Sequence, residues 1–171
     1  MMKAPIPPDE EDRLHALRQL LILDTPPEER FDRIVQFAAQ EFEVPMALIT
    51  FVDAERQWFK ASVGLDACET ARETSFCGHA ILKNEIMLIN DATQDPRFHD
   101  NPFVINEPHV RFYAGAPLQL PNGKNVGTLC VIDQTTRVMD AVDLAVLSSL
   151  RDLVVEELVN RDQAVGPKDA P

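Results

Sequence analysis

The sequence predicts an α/β (α+β) fold: an antiparallel sheet of five to six strands, helices on both faces and a long helix at the C-terminus. Three observations carry this reading. Residues 46–52, MALITFV, form a nearly continuous apolar run between Pro45 and Asp53, the pattern of a central strand covered on both sides. Two strand-like runs, residues 111–120 and 125–133, flank Asn122-Gly123, the strongest short hairpin signal. Apolar residues at spacings of three and four mark helices towards both ends of the chain.

In chain order, the proline-containing residues 1–8 read as an irregular lead-in. Leu14, Leu17, Leu20 and Leu21 then make one stripe on a first helix, whose start is favoured by Asp9, Glu10, Glu11 and Asp12 through the helix dipole. Thr25-Pro26 is expected to begin a second helix, with Thr25 as cap and Pro26 where its missing N–H costs nothing. Phe31, Ile34, Val35, Ala38 and Phe42 form its apolar face, and Glu28, Glu29, Asp32, Arg33 and Gln36 read as its solvated side. Val44-Pro45 stops it. Residues 57–63 return as a strand, and residues 64–73 are polar and irregular.

Residues 74–91, TSFCGHAILKNEIMLIND, are the stretch around which the chain is organised. Thr74 or Ser75 caps a helix whose first turn carries Phe76, Cys77 and His79, and residues 86–89 follow as a short buried strand. Residues 92–110 are rich in Asp, Asn, Pro and His and read as a long loop suited to a lid. A last helix over residues 139–161 spans roughly six turns. Its apolar residues, among them Val142, Val146, Leu147, Leu150, Leu153, Val154 and Leu158, occupy more than one stripe. The surplus calls for a partner helix from a second copy or from the same chain. The expected organisation is a helical extension at 1–22, a core at 23–138, the terminal helix at 139–164 and a frayed tail at 165–171.

The 171 residues carry a formal charge of −12, which opposes nucleic-acid phosphates and anionic lipid heads. No apolar run approaches the roughly 20 residues of a membrane span, and the first residues lack a secretory signal, so a cytoplasmic location is expected. Cys68, Cys77 and Cys130 are odd in number and form no CxxC pair, so no disulfide framework or zinc finger is expected. Cys130, within LCVI, reads as a small buried hydrophobe. Cys77, His79, His99 and His109 fit no zinc spacing, and GxSxG, GxGxxG and phosphate-loop motifs are absent.

The ordered blocks LDTPPEERFDRIVQFAAQEFEVPMALITFVDAERQWFKASVGL, SFCGHAIL, DPRFHDNP, RFYAGAPL and GTLCVID resemble the GAF family of sensory domains, in its bacterial signalling branch. The resemblance runs from about Leu23 to Asp133 and into the last helix. It implies a ligand pocket between one sheet face and the helix and loops over it. Family members bind cyclic nucleotides, bilins, haem, small metabolites or nothing, so the ligand and any cofactor stay unknown at this point. Many relatives precede a histidine kinase or diguanylate cyclase. No room remains here for such an output, so signalling is expected through a separate kinase or cyclase protein or through a homodimer built on the C-terminal helix.

The positions matching the family's site are Trp58, Phe59, Phe76, Cys77, His79, Asp91, Phe112, Tyr113 and Gly115. Plainer roles stand beside each. The aromatics suit a core, Gly115 and Gly127 suit a bulge or close backbone packing, His79 suits a backbone carbonyl, and Asp91 suits a turn cap. Cys77, at a helix start, is a candidate reactive thiol or an inert buried one. The GAF-fold free methionine-(R)-sulfoxide reductases place catalytic cysteines in this region, which would make Cys77 and Cys68 a redox pair. They also use a cysteine before the hairpin, where EPHVRFY has none. Bilin attachment usually wants Cys-His, and here Gly78 intervenes. The expected function is a small-molecule sensor, with a thiol reductase and a ligand-free dimerisation module as alternatives.

Overall fold

In the computed structural model, residues 1–168 are described, with side chains through Arg161. Six strands form one sheet in which every neighbouring pair is antiparallel. They are β1 (Met46–Val52), β2 (Arg56–Val63), β3 (Glu69–Ala71), β4 (Met87–Ile89), β5 (Phe112–Gln119) and β6 (Asn125–Asp133), in the order β3-β2-β1-β6-β5-β4. Three helices, α1 (Glu10–Gln19), α2 (Glu29–Glu41) and α5 (Ala141–Lys168), cover one face; two short ones, α3 (Cys77–Ala80) and α4 (Pro102–Ile105), lie on the other. Strand alternation divides the core accordingly. Ala47, Ile49 and Phe51 of β1 pack under the long helices, while Met46, Leu48 and Val52 face α3.

The central strands match their sequence pattern: every residue of β1 and β6 is buried. Gly127 permits their close approach. A Cβ there would stand 1.8 Å from the Thr50 carbonyl oxygen, which is backbone and has no rotamer to retreat to. Gly127→Ala is therefore expected to lower stability by about 2 kcal/mol, read as a lower urea midpoint at unchanged m-value.

Several local expectations are corrected. The second helix begins at Glu29 and has no side-chain cap. Thr25 instead donates to the Ile22 carbonyl at 2.5 Å, and Pro26 and Pro27 precede the helix. The solvated reading of Glu28 also fails: its carboxylate meets Lys60 at 2.7 Å, Arg30 at 2.8 Å and Arg161 at 3.2 Å. Lys60 reaches it because β2 bulges opposite Ile49 and Thr50, leaving Lys60 unpaired between Phe59 and Ala61. Leu21 leaves the predicted stripe with a positive φ of 52° and is exposed, whereas Leu17 is fully buried.

The irregular lead-in packs closely, with Ala4 buried against Gly78, where a Cβ would stand 2.7 Å from that of Ala4. Residues 64–73 contain β3 and a single 3-10 turn, Arg72–Thr74. Arg72 and Arg13, both buried, share the Glu10 carboxylate and tie α1 to the sheet. The helix expected after Ser75 lasts only four residues, yet Ser75 acts as expected: its hydroxyl accepts the Gly78 N–H at 3.0 Å.

Residues 92–110 are packed rather than open. Ala92, Phe98, Asn101, Val104 and Val110 are all buried. Asn101 caps α4 by accepting the Phe103 N–H at 2.9 Å, and its amide donates to the Thr74 carbonyl at 2.9 Å. Helix α5 buries Leu147, Leu150, Val154 and Leu158 on the sheet, and α2 lies beside it. An apolar groove with Val142, Leu153 and Phe37 remains exposed between the two helices. The backbone of α5 continues beyond the expected end at Arg161, and residues 169–171 of the expected tail lie outside the described residues.

Candidate functional site

A cavity of about 390 Å³ lies on the α3 side of the sheet, a volume within the usual range for small-molecule sites. Period-two alternation supplies its floor: Met46 and Leu48 from β1, Gln57 and Phe59 from β2, Tyr113 from β5 and Ile132 from β6. The start of α3 adds Ser75, Phe76 and Cys77. Phe103 and Val110 close it above, and residues 64–67 and 107–108 border it. Phe76 is held by Phe98, stacked at 4.1 Å and 9°, and by Tyr113 at 5.2 Å.

Of the nine positions expected from sequence, Phe59, Phe76, Cys77 and Tyr113 come together in this lining. Gly115 lies beneath Tyr113, where a Cβ would fall 2.2 Å from the phenol oxygen, so glycine there makes room for that ring. The others are elsewhere. Trp58 and Phe112 belong to the core under the long helices, and Trp58 packs on Phe51 at 6.4 Å. His79 sits behind the cavity with its ring edge-on to Phe98 at 4.8 Å; burial lowers its pKa, against a hydrogen bond with the Met2 backbone that raises it. Asp91 accepts both the backbone N–H and the hydroxyl of Thr93, at 3.0 and 2.6 Å, which is the work of a turn cap. Cys68 is exposed and lines a groove on the α2 side of β2.

The neighbour that Cys77 does meet is Cys130. A buried polar chain runs beneath the cavity: Thr128 donates to the Cys77 sulfur at 3.2 Å, so the 3.0 Å contact between Thr50 and Thr128 is donated by Thr50. The Tyr113 hydroxyl lies 3.1 Å from the same sulfur. Burial pushes the Cys77 thiol up, but hydrogen bonds from Cys130, Thr128 and Tyr113 outweigh it and hold the thiol at about 7. Burial raises Cys130 and Tyr113 well above their ordinary values, with the Cys77 sulfur adding to the effect. Cys77 is 1% exposed, so a reagent reaches it only by entering the cavity.

Sequence reading missed Gln57, which shares a strand face with Phe59. Parity places it beside Phe59, since residues two apart on a strand face the same way, but only once register shows that Phe59 and not Trp58 faces the cavity. Among the described residues, no group of three or more His, Cys, Asp or Glu side chains is arranged to hold a metal ion, and no helix is long and apolar enough to cross a membrane.

Comparison with known proteins agrees with this architecture. The chain is 45% identical over 159 residues to the cyclic di-GMP phosphodiesterase PA2567 of Pseudomonas aeruginosa. That alignment covers 92% of this chain and 27% of the relative, so the chain spans about a quarter of its length. The GAF domain from an Acinetobacter phosphoenolpyruvate-protein phosphotransferase superposes with a TM-score of 0.64 at 20% identity, covering 91% of this chain and 96% of that one. Free methionine-R-sulfoxide reductase from Neisseria meningitidis, solved with its substrate, superposes at 0.66 with 16% identity, covering 90% of each chain. These two likenesses establish the fold alone. The sequence profile of the GAF domain matches residues 26–158. With that match over most of its length and a six-stranded sheet sandwiched by helices, the chain belongs to the GAF domain family, a sensory fold.

Proposed function

We propose that this chain is a sensory module that binds a small molecule in the cavity between α3 and the sheet and passes the signal to an output unit. The observation that carries the reading is the cavity itself: about 390 Å³, bounded by Phe59, Phe76 and Tyr113, with the packed 92–110 segment as one wall. Ligand contact with Phe103, Pro108 and Val110 would favour the closed arrangement of that segment, and this differential affinity is what lets binding shift a population. The cyclic di-GMP phosphodiesterase relative supports a cyclic-dinucleotide enzyme as the kind of output controlled. The apolar groove containing Phe37, Val142 and Leu153 supports a homodimer as the route.

Native mass spectrometry of the purified protein is expected to show a non-covalent adduct that is absent from its denatured mass. Limited proteolysis within residues 92–110 is expected to slow severalfold when that adduct is present. Equal cleavage rates with and without it would sink the reading.

One observation favours a second reading, a thiol reductase: the Cys77 sulfur lines the cavity wall with the Thr128 hydroxyl at 3.2 Å and the Tyr113 hydroxyl at 3.1 Å, contacts that favour its thiolate. In that case the thiol at hand for Cys77 is Cys130, in place of the Cys68 expected from sequence. Reduction of free methionine-(R)-sulfoxide by the wild-type chain, lost in Cys77→Ser, is the result this reading requires. No turnover, or turnover unaltered in the variant, removes it.

A further inference from the structure

We infer that the cavity selects a ligand with an apolar body and one N–H or O–H donor that pairs with Gln57, and that it excludes anions. The inference rests on the sensor reading above and names the chemistry of the same site.

Gln57 carries the first half. It is 7% exposed, lies on the cavity face of β2 and donates its amide N–H to the Thr70 hydroxyl at 2.9 Å. Its Oε1 has no partner. A buried carboxamide oxygen left unpaired is destabilising, and native proteins place few of them. Facing a cavity, it is satisfied by a ligand that brings a donor.

The second half is charge. Among the described residues, no lysine or arginine lines the cavity. Arg111, close by in sequence, is spent on the carbonyls of Val104 and Val110, at 2.9 and 3.0 Å. The charged side chains that do line it are Asp66 and Glu107, both exposed, the latter 3.5 Å from the His109 imidazole. A phosphate or carboxylate would pass two carboxylates on a chain of net charge −12 and find no cation to replace its hydration. Two hydroxyls also line it, Thr70, which accepts from Gln57, and Ser75, which donates to the Arg72 carbonyl at 2.6 Å. The remaining lining is mainly apolar and aromatic, which suits a flat or compact hydrophobic body.

The test is a matched series titrated calorimetrically into the full chain: indole, tryptamine, 1-methylindole and indole-3-acetate. These share one ring system and differ in charge and in the ring donor. Indole and tryptamine are expected to bind. Indole-3-acetate should be at least tenfold weaker, and 1-methylindole several-fold weaker than indole. Gln57→Leu should abolish the difference between indole and 1-methylindole. Gln57→Glu should favour tryptamine over indole, which keeps the test available if the leucine variant folds poorly. Indole-3-acetate binding as tightly as indole overturns the exclusion of anions, and equal affinity for indole and 1-methylindole overturns the role of Gln57. Both results leave the cavity a binding site. Failure of all four probes at millimolar concentration overturns this inference, while the sensor reading stands or falls separately on the native adduct and the proteolysis rates.

Discussion

Phe98→Ala is expected to destabilise the protein by about 4 kcal/mol, the usual cost of truncating a fully buried phenylalanine. For a domain of this size that corresponds to a fall in Tm of roughly 8–16 °C. Phe98 is 0% exposed, and each side of its ring is occupied: Phe76 stacks at 4.1 Å, His79 approaches edge-on at 4.8 Å, and the Arg97 guanidinium lies 5.1 Å from the centroid. The ring pins residues 92–110 to the start of α3. Its loss therefore reaches the cavity, because Phe76 is part of the lining and depends on the stack. Urea denaturation gives the stability loss. Amide hydrogen exchange separates it from a surface effect: protection should fall first at residues 98–110 and at the first turn of α3. A loss below about 1 kcal/mol would mean that this segment is held by something other than Phe98.

That same residue marks where sequence reading stopped. Residues 92–110 look polar because their buried apolar side chains, Phe98, Val104 and Val110, stand six residues apart in a segment rich in Asp, Asn, Pro and His, too sparse to make a strand or helix pattern that betrays a buried face. The strands were readable for the opposite reason. β1 is buried on both sides and so appears as a nearly continuous apolar run, β6 carries the apolar stretch Leu129–Ile132, and the Asn122-Gly123 turn, with Gly123 at φ +89°, sets the hairpin between β5 and β6. The site was readable only in part. Trp58-Phe59 and Phe112-Tyr113 are adjacent pairs on strands, so one member of each must face away from any pocket, and alternation does not say which. Register decides it, and register depends on the β2 bulge and on pairing across the whole sheet. The Cys77–Cys130 juxtaposition is likewise tertiary, set by α3 lying across β5 and β6.

Lys60→Met is expected to cost about 3 kcal/mol, the low end for breaking a buried ion pair. The Lys60 side chain is 0% exposed, and its ammonium has three acceptors: Glu28 at 2.7 Å, the Thr25 hydroxyl at 2.8 Å and the Pro26 carbonyl at 2.6 Å. Methionine keeps the volume over the Phe31 ring but leaves those oxygens without their shared donor. The cost stays at the low end because Glu28 is 25% exposed and retains Arg30 and Arg161.

The pH dependence isolates the electrostatic part. Burial pushes the Glu28 carboxyl up, but hydrogen bonds from Lys60 and Arg30 overcome it and bring its pKa down to about 2, from an ordinary value of 4.5. A carboxyl lowered in the folded state adds stability that is fully present above about pH 4.5 and lost as pH falls towards 2. The wild-type urea midpoint should therefore drop across that window. It should drop less in Lys60→Met, where one of the two leading hydrogen bonds to Glu28 is gone, and less again in Glu28→Gln. In the double variant the two losses should fall short of their sum, since each single change already removes the shared contact. Strict additivity would show that Glu28 and Lys60 stabilise the β2 bulge independently, and that the 2.7 Å contact between them contributes nothing of its own.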